Sequence, residues 1–545
     1  MPVPQYVAQL KVMLQSPSAA NSAALVNMLR AEPDLGRQAR PQLTVDPVFA
    51  NAFRVAQPGL DYEYHNVSMP MPRAIKSPTN LDTLLRTVQD GANQYRSLKA
   101  MGDGWGFANA VFTPDWLVHC LGLDDVLPLE DDTFLPTAPA ANTLVRFQAG
   151  ITFAKLSAAL ATTGRAVLQQ PGFQDLTYLG CASVGGHGSG LSIQGISSQI
   201  EAVELVTLND GNQVRLVRIE RSPASGALSD TAKWRARYPA PTFDIVQDDG
   251  LFHAVRCGQG NLGIVYAVTV RTQPAFFLEE TRTMSSWAAA WPNVQQLLVD
   301  PAIHSVHVWI NPYLNAGKTD PTVLITKLAR TTATQRSGMR GIGILLGGMN
   351  PITELIRLYI SLNPAAVPFL MDDALKSCVA SNVVMPSTEA LDFGAPNTVP
   401  VHASSLGFDA STADTTFKAL ITQLNAWTQQ NQWISSPIGM RWVKGSQDYL
   451  SPQFGRDTIM LEVPIMKGTP NATQTLDRYA TYMMDTWGGR PHWGQQNPIN
   501  RQRFEAVYGA AVPKFVSAYR ALNPNGFFDG PLVRQLGLRD IANGN

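Results

Sequence analysis

The stretch from Leu179 to Gly190 constrains the fold and function of this chain more than any other. It reads Leu-Gly-Cys-Ala-Ser-Val-Gly-Gly-His-Gly-Ser-Gly and places five glycines around a single histidine, His187. Glycine allows the backbone to approach a ligand closely or to take a positive φ, and successive backbone N–H groups presented in this way suit phosphate. We therefore expect this loop to hold the pyrophosphate of a dinucleotide, while a flexible loop without a ligand has the same composition.

The length and charge of the chain limit the classes of function that fit it. A chain of 545 residues is too long for one hydrophobic core, so two or three domains are expected. Lysine and arginine together number 42, as do aspartate and glutamate, so no net charge would attract nucleic acid or an anionic membrane. The four cysteines are widely spaced and fit no metal-ligand pattern, so we expect no metal site. The sequence does not decide whether these four cysteines are reduced thiols or form disulfides.

Two further stretches bear on the location of the protein. The N-terminal residues Met-Pro-Val-Pro-Gln-Tyr lack the basic segment and apolar run of a signal peptide, which predicts a cytoplasmic protein. The most apolar window, residues 341–362, contains Glu354 and Arg357 and is interrupted by Gly-Gly-Met-Asn-Pro. It is therefore not predicted to span a membrane.

A second glycine-rich segment, Cys257–Val265, has the glycine spacing of a nicotinamide-dinucleotide fingerprint, G-x-G-x-x-G. That fingerprint requires a helix after its last glycine. Residues 264–272 are instead dominated by β-branched side chains and are followed by a proline, which predicts a strand. The nicotinamide interpretation is therefore rejected.

The remaining patterns predict alternating helices and strands. Asp210-Gly211 between two β-rich runs is a hairpin signal, and Asn80 is the predicted N-cap of a helix. Helices are predicted over residues 80–95, 153–163, 415–430, 473–487 and 512–521. Strands are predicted over residues 99–101, 143–149, 202–208, 213–219, 264–272, 305–310, 322–328 and 458–466.

These patterns divide the chain into four parts. Residues 1–60 carry helical spacing and are predicted to form a helical extension that packs on the main body or serves as an interaction arm. Residues 61–275 form a first mixed domain, and residues 276–500 form a second domain of α+β character. Residues 501–545 are a C-terminal segment that returns to the first domain.

Five glycine-containing motifs follow one another along the chain. They are Met101–Gly106, Leu179–Gly190, Gly195 before the strand at 202–208, Gly258–Val265 and Asn523–Phe528. In this order they resemble the vanillyl-alcohol oxidase / p-cresol methylhydroxylase family of FAD-dependent oxidoreductases. The resemblance covers about residues 69–274 and the C-terminal tail.

Motifs in the second domain narrow the resemblance. Met440–Gly445, Leu450–Pro452 with Arg456-Asp457, and Gly488–Gly494 are similar to the aldonolactone and alditol oxidase branch of that family. Cholesterol oxidases of the covalent-flavin type are a more distant similarity. The resemblance implies an α+β fold, with a two-subdomain FAD-binding domain of the p-cresol methylhydroxylase type over residues 61–275 and an α+β substrate-binding cap domain over residues 276–500.

The resemblance also implies which residues would contact FAD. Backbone of residues 102–106 and 180–190 would lie on the pyrophosphate, residues 258–265 would lie near the adenine and ribitol portion, and His492 would approach the flavin from the substrate side. The predicted FAD-binding residues are Gly102, Asp103, Gly104, Trp105, Gly106, Gly180, Cys181, Ser183, Val184, His187, Gly188, Gly190, Gly260, Asn261, Gly263, Ile264 and Val265.

Three positions depart from the family pattern. The histidine that attaches FAD covalently in many members is Trp105 here, and Cys181 has the wrong spacing for the cysteinyl-linked branch, so we expect non-covalent FAD. The Glu-x-Arg of sugar and polyol oxidases reads Gly439-Met440-Arg441, and their His-Trp-x-Lys reads His492-Trp493-Gly494-Gln495. Because a positioned base or cation helps the substrate hydroxyl to lose its proton, the two losses predict a larger or less polar substrate than a sugar acid.

Arg441, His492 and Gln495 are the predicted catalytic residues. Arg441 would stabilise negative charge on the substrate or on the reduced flavin, and the alternative is a surface ion pair. His492 would act as a base or pack on the flavin ring. We expect His187 to orient its loop rather than to react.

The predicted function is that of an FAD-dependent oxidoreductase. It would oxidise the C–H bond of a carbinol group in a small organic substrate by hydride transfer to flavin N5. O2 or another acceptor would then reoxidise the flavin. A dehydrogenase with a non-oxygen acceptor and a flavin-binding protein with a degenerate catalytic site are the alternatives.

Overall fold

The computed structural model describes residues 61–314, 317–338, 340, 351–392 and 401–544. The helical extension predicted for residues 1–60 lies outside the described residues. One compact unit, here the glycine-loop unit, contains Leu60–Phe276, Val443–Thr458 and Gly488–Asn545. A second unit contains Phe277–Trp442 and Ile459–Trp487. Residues 443–458 and 488–500, which the sequence analysis assigned to the cap domain, thus group with the glycine-loop unit.

The glycine-loop unit is built on three sheets. Its strands are β1 (Asp61–Tyr64), β2 (Val67–Pro70), β3 (Ala74–Lys76), β4 (Leu98–Met101), β5 (Trp116–His119), β6 (Val126–Leu127), β7 (Leu144–Gln148), β8 (Arg165–Val167), β9 (Gly190–Gln194), β10 (Ile200–Leu208), β11 (Val214–Glu220), β12 (Phe243–Gln247), β13 (Ile264–Pro274) and the two-residue strand Arg490–Pro491. β1 and β2 pair as a hairpin, and β3-β5-β4 form a parallel sheet. The largest sheet has the order β12-β11-β10-β13-β7-β6, with β8 also on β13.

The helices of this unit begin where the sequence provides caps. Asn80 Oδ1 accepts a hydrogen bond from Thr83 N, and the Thr83 hydroxyl bonds back to Asn80 N, which is a capping box. The predicted N-cap is thereby confirmed. The helices are Leu81–Asn93, Phe153–Ala161, Tyr178–Ser183, Thr231–Arg237, Asp249–Val255, Arg501–Tyr508, Ala511–Leu522, Pro531–Gln535 and Leu538–Asn543.

The strand predicted after the second glycine segment is confirmed as β13. It runs antiparallel to β10, which in turn forms the predicted hairpin with β11, in a register that pairs Leu208 with Val214. Side chains from these strands, the first helix, the small parallel sheet and the C-terminal tail share one apolar cluster. Members of that cluster include Leu84, Val88, Leu98, Trp116, Val206, Ile264 and Phe528. The core therefore includes the first residues of β13, directly after the second glycine segment.

The second unit contains a mostly antiparallel sheet flanked by helices. Its strands are β14 (Phe277–Ser286), β15 (Ile303–Asn311), β16 (Thr322–Thr331), β17 (Ala380–Pro386), β18 (Val401–Asp409), β19 (Ile438–Lys444) and β20 (Thr458–Met466), and its helices are Trp287–Val299, Pro351–Leu362, Val367–Lys376, Ser387–Ala390, Ala413–Trp427 and Ala472–Trp487. The sheet order is β17-β14-β16-β15-β19-β20-β18. The predicted helices at 415–430 and 473–487 and the predicted strands at 305–310, 322–328 and 458–466 are confirmed. Among the described residues, no helix has both the length and the apolar character that a membrane crossing requires.

Candidate functional site

Four loop segments of the glycine-loop unit are joined by backbone hydrogen bonds. The segments are residues 102–107, 183–190, 257–263 and 492–495. The bonds that join them run from Phe107 N to Gly494 O at 2.7 Å, from Trp493 N to Val184 O at 3.1 Å and from Gln259 N to Ser183 O at 3.2 Å. The structure thus brings together three motifs that lie far apart in the sequence, and adds the loop that carries His492 and Gln495.

Gly102 and Gly260 show why these segments require glycine. A Cβ on Gly102 would lie 2.2 Å from Thr177 Oγ1, so the first segment can approach the start of the helix Tyr178–Ser183 only without a side chain. Gln259 and Gly260 both have positive φ, 54° and 67°. Such tight turns present backbone N–H groups to anions. The local geometry is therefore suited to a phosphate-bearing ligand.

Buried amide groups beside this turn provide a test of whether FAD fits. Both side-chain amide atoms of Gln259 and Nδ2 of Asn261 are buried and have no hydrogen-bond partner among the described residues. The Gln259 residue is 4% exposed and Asn261 is fully buried. An unpaired buried polar group costs about 1–3 kcal/mol, and a bound ligand or water usually satisfies it. These donors and acceptors match the phosphates, hydroxyls and ring carbonyls of FAD, so the residues present fit this cofactor.

Lys99 on β4 forms three hydrogen bonds to the turn at residues 259–261. Its ammonium group donates to Gln259 O at 3.2 Å, to Gly260 O at 3.1 Å and to Asn261 Oδ1 at 2.7 Å. Burial lowers the pKa of Lys99 to about 7, while the charge of Asp529 works in the opposite direction. The sequence analysis missed this residue, although a lysine inside a short predicted strand was a visible signal.

His187 is buried inside the glycine-rich loop. Its side chain lies with Nδ1 2.8 Å from Gly188 O, so that nitrogen donates to the carbonyl, and its ring meets the ring of His492 edge-on at 5.8 Å. Cys181 is also buried, and burial raises the pKa of its thiol to about 12, which leaves it unreactive at neutral pH. All four cysteines of the chain are buried and free.

Trp105, which stands where many relatives have the attaching histidine, is held by its neighbours. Its indole Nε1 donates to Asp103 Oδ2 at 2.9 Å, and its ring stacks on His65 at 4.0 Å and meets Phe173 edge-on. Tyr64 donates to the other Asp103 oxygen at 2.9 Å. The β1–β2 hairpin therefore organises the 102–106 segment, and His65 is a second residue that the sequence analysis missed.

The other predicted FAD-binding residues lie in or beside the same loops. Gly180 and Gly188 are required by protein packing, since a Cβ would lie 2.5 Å from Thr177 Oγ1 and 2.1 Å from Gln169 Cδ, respectively. The remaining predicted positions are Gly104 and Gly106 in the first segment, Ser183 and Val184 in the second, Gly190 at the start of β9, and Gly263, Ile264 and Val265 at the start of β13. Ile264 is 1% exposed and packs in the core, so a contact with a cofactor at this position would come from backbone.

His492 and Gln495 lie in the loop that follows the strand Arg490–Pro491. Gly494 N donates to His492 Nδ1 at 3.1 Å, so a neutral imidazole carries its hydrogen on Nε2. Gln495 N donates to His492 O at 2.9 Å. Trp493 anchors the loop, because its Nε1 donates to Leu450 O at 2.6 Å.

Arg441 lies in the second unit, on β19. The strand register pairs it with His307 on β15. Its Nη2 lies 3.2 Å from Glu462 Oε2, and Glu462 is on β20, the next strand of the sheet. Burial lowers the pKa of Arg441, and the charge of Glu462 counteracts that effect. Burial and the charges of Arg441 and Arg282 lower the pKa of His307 well below its usual value, so this imidazole is neutral.

Gly439 lies one side-chain repeat away from Arg441 on the same face of β19. It is paired with Trp309 on β15, and a Cβ added to it would lie 3.4 Å from Trp309 Cζ3 and 3.6 Å from Glu462 Oε2. The carboxylate that the sequence analysis found missing at position 439 therefore has a spatial counterpart in Glu462. The sequence analysis missed Glu462, because its pairing with Arg441 depends on which strands are neighbours.

Family models match most of the chain. The model described as D-arabinono-1,4-lactone oxidase matches residues 268–536, and the model described as FAD binding domain matches residues 72–217. The two matches include the loop segments at 102–107, 183–190 and 492–495 and the strands that carry Arg441 and Glu462.

Individual relatives agree with these models. The chain is 21% identical to L-gulonolactone oxidase from Bos taurus over 84% of this chain and 93% of that protein. It is 22% identical to L-gulono-1,4-lactone dehydrogenase from Mycobacterium tuberculosis, over 85% of this chain and 96% of that protein. It is 23% identical to D-arabinono-1,4-lactone oxidase from Yarrowia lipolytica over 68% of this chain and 64% of that protein.

Solved structures confirm the fold. A crystal structure of cholesterol oxidase from Brevibacterium sterolicum superposes with a TM-score of 0.66 at 12% identity, covering 87% of this chain and 96% of that one. A solvent-stable cholesterol oxidase superposes with a TM-score of 0.64 at 14% identity, covering 88% and 99% of the two chains. The protein is an FAD-dependent oxidoreductase that resembles the vanillyl-alcohol oxidase / p-cresol methylhydroxylase family, nearest the aldonolactone oxidase branch.

Proposed function

We propose that the protein oxidises a carbinol group of a lactone and passes the electrons to O2 or to another acceptor. The observation that carries the proposal is the match of residues 268–536 to the D-arabinono-1,4-lactone oxidase family, which includes all three predicted catalytic residues. The names of the relatives favour a lactone over the larger, less polar substrate expected from the sequence.

The glycine-loop unit supplies the cofactor site. Backbone N–H groups of residues 102–106 and 183–190 would hold the pyrophosphate. The buried side-chain amides of Gln259 and Asn261 would bond polar atoms of the adenine and ribitol portion. FAD, when bound, supplies a two-electron acceptor for the C–H bond. Lys99 keeps the 259–261 turn in its binding conformation through its three hydrogen bonds.

Arg441 provides a permanent positive charge for the substrate. A guanidinium stabilises the negative charge that develops on an oxygen as its proton leaves, and partial burial strengthens that effect because water screens it less. His492 Nδ1 accepts from Gly494 N, so a neutral His492 carries its hydrogen on Nε2 and would act as a donor through that nitrogen. Gln495 contributes a neutral amide where other members of the branch carry lysine.

The test is anaerobic reduction of the bound flavin by a small panel of compounds. L-gulono-1,4-lactone and D-arabinono-1,4-lactone are expected to bleach the visible flavin absorbance of the purified holoprotein, and cholesterol is the control taken from the structural relatives. Bleaching by cholesterol alone would contradict the proposal. A protein that binds FAD yet is bleached by none of the three would favour a flavin-binding protein without turnover.

The electron acceptor is a separate question with two candidates. The relatives include both oxidases and a dehydrogenase. Admitting air to the bleached protein separates the two: recovery of the flavin absorbance within the turnover time indicates an oxidase. Recovery only after addition of an artificial quinone acceptor indicates a dehydrogenase.

We also propose that FAD is held without a covalent bond. Support comes from Trp105, whose indole cannot form the histidyl linkage, and from Cys181, whose thiol is buried and protonated. Acid precipitation is expected to release all of the flavin into the supernatant. Flavin fluorescence that stays on the denatured protein band would contradict this proposal.

A further inference from the structure

We propose that Glu462 is the catalytic carboxylate that accepts the substrate hydroxyl proton. Glu462 lies beside Arg441 on β20, whereas the glutamate of the Glu-x-Arg pattern would stand at position 439 on β19. The inference rests on the proposed function and assigns a residue to it. Neither Glu462 nor any other acid was among the catalytic residues predicted from the sequence.

The contacts of Gly439 carry the first step of the argument. A Cβ at this position would lie 3.6 Å from Glu462 Oε2 and 3.7 Å from Glu462 Cβ, which is ordinary van der Waals distance. The Glu462 side chain therefore lies directly beside the point from which a side chain at position 439 would extend. A glycine on β19 and a glutamate on β20 together place one carboxylate beside Arg441.

The exposure of the pair carries the second step. The Glu462 side chain is 28% exposed and the Arg441 side chain is 12% exposed, so solvent-sized molecules reach both groups. Another carboxylate of the same sheet, Glu280, is different. It is 1% exposed and is paired with both Arg282 and Arg340. Glu280 is therefore part of the interior, whereas Glu462 presents its carboxylate to a ligand.

The chemistry of a carbinol oxidation requires such a group. The C–H bond of the carbinol breaks with its electron pair, the C–O bond becomes C=O, and the O–H proton moves to a Glu462 oxygen. The electron pair and its hydrogen are the hydride that FAD accepts, so atoms and charge balance. Arg441, whose Nη2 lies 3.2 Å from Glu462 Oε2, stabilises the negative charge on the substrate oxygen as the proton leaves.

The first test compares Glu462→Gln with the wild-type holoprotein in the anaerobic bleaching assay. Gln keeps the size and one acceptor but cannot take a proton, so the rate of flavin reduction is expected to fall about 100-fold or more. The visible spectrum of bound FAD should not change. Glu505→Gln is the matched control, because it removes the same charge from an exposed helix pair with Arg501. A Glu462→Gln rate within threefold of wild type would overturn the proposal.

The second test moves the carboxylate to the neighbouring strand. Glu462→Ala is expected to lose activity as Glu462→Gln does. The double variant Gly439→Glu/Glu462→Ala is expected to recover at least tenfold of the loss, because the new side chain starts from the space that Glu462 vacates. Failure of both Glu462 variants to fold would be detected by circular dichroism, and Glu462→Asp then serves, with a smaller expected loss of rate. Full wild-type activity in Glu462→Ala would contradict the inference.

Failure of the proposed function has a different signature from failure of this inference. If the wild-type flavin is reduced by no compound, the proposed function is wrong, and binding then decides the role of Glu462. In that case a lactone titration followed by the flavin absorbance should show at least tenfold weaker binding to Glu462→Ala than to wild type. Equal binding by the two proteins would overturn the inference.

Discussion

Two arginine–carboxylate pairs, one in each unit, differ in how far they are closed to solvent. In the glycine-loop unit, Arg256 pairs with Asp448, with side-chain exposures of 3% and 0%. In the second unit, Arg441 pairs with Glu462 at 12% and 28%. Asp448 also accepts from Ser197 Oγ at 2.6 Å. The Asp448 carboxylate is therefore fully buried, whereas the Glu462 side chain is partly exposed to solvent.

The comparison teaches that the same chemical pair serves two purposes, and that enclosure distinguishes them. A fully buried pair contributes through the penalty for breaking it, because each charge depends on the other for solvation. A half-open pair leaves room for a third polar group, which for an oxidase is the substrate hydroxyl. Substitutions should therefore reduce stability in the first case and activity in the second.

The largest expected effect is that of Asp448→Asn on stability. Removing the charge of Asp448 leaves the buried Arg256 with the charge of Glu201 as its remaining compensation, and the free energy of unfolding is expected to fall by about 3–5 kcal/mol. Urea denaturation followed by tryptophan fluorescence measures the change. A loss below about 1 kcal/mol would break the distinction between the two pairs.

The pH dependence of the closed pair follows from the pKa of Asp448. Burial opposes ionisation of this carboxyl, but the charge of Arg256 and hydrogen bonds from His253 and Ser197 outweigh it and lower the pKa to about 2. The ordinary pKa is 3.8, so the stabilisation is fully present above that pH and is lost as the pH falls through 2. The stability difference between wild type and Asp448→Asn should accordingly shrink only below pH 3.8.

Arg441→Met is expected to act on the rate rather than on the fold. The catalytic rate should fall by about 100- to 1,000-fold, or about 2.7–4 kcal/mol, because a donor to the developing oxyanion is removed. Steady-state kinetics with a lactone gives the rate, and thermal unfolding gives the control. A large drop in unfolding temperature with normal activity would show that this pair, too, is structural.

Lys99→Met tests the support of the cofactor loop. The variant loses three hydrogen bonds to the 259–261 turn, and a charged hydrogen bond contributes about 1.5–3 kcal/mol. FAD affinity should fall by roughly 10- to 100-fold, measured by the flavin-to-protein absorbance ratio after gel filtration. Lys155→Met, at an exposed pair with Asp124, is the control and should retain FAD fully.

The smallest expected effect is at the exposed pair Arg501–Glu505, which completes the series. Its side chains are 42% and 47% exposed. Glu505→Gln should change the free energy of unfolding by about 0.3–0.5 kcal/mol and leave flavin reduction unchanged. A larger change would show that exposure is a poor guide to the contribution of an ion pair in this protein.

Local sequence patterns identified the loops of the predicted cofactor site and the strand that follows one of them. The glycine spacings at 102–106, 179–190 and 258–263 identified loops that the structure joins by hydrogen bonds. The β-branched run after Gly263 correctly separated this fold from a nicotinamide-binding one. These inferences succeeded because turn and strand preferences act over a few residues, where the sequence is directly informative.

Contacts between segments that lie far apart in the chain could not be predicted from the sequence. The strand at 458–466 was predicted, yet nothing in the chain indicated that it lies beside β19, so the position of Glu462 next to Arg441 was missed. Lys99 and His65 were missed for the same reason, since their partners are found at residues 259–261 and at Trp105.

The sequence by itself determined the element types, the glycine loops and the family that the chain resembles. The tertiary structure alone decided which charges meet. Position 439 carries no carboxylate in the sequence, but the carboxylate of Glu462 lies beside it in the structure. The reason is that sheet pairing brings side chains of neighbouring strands into contact regardless of their separation along the chain.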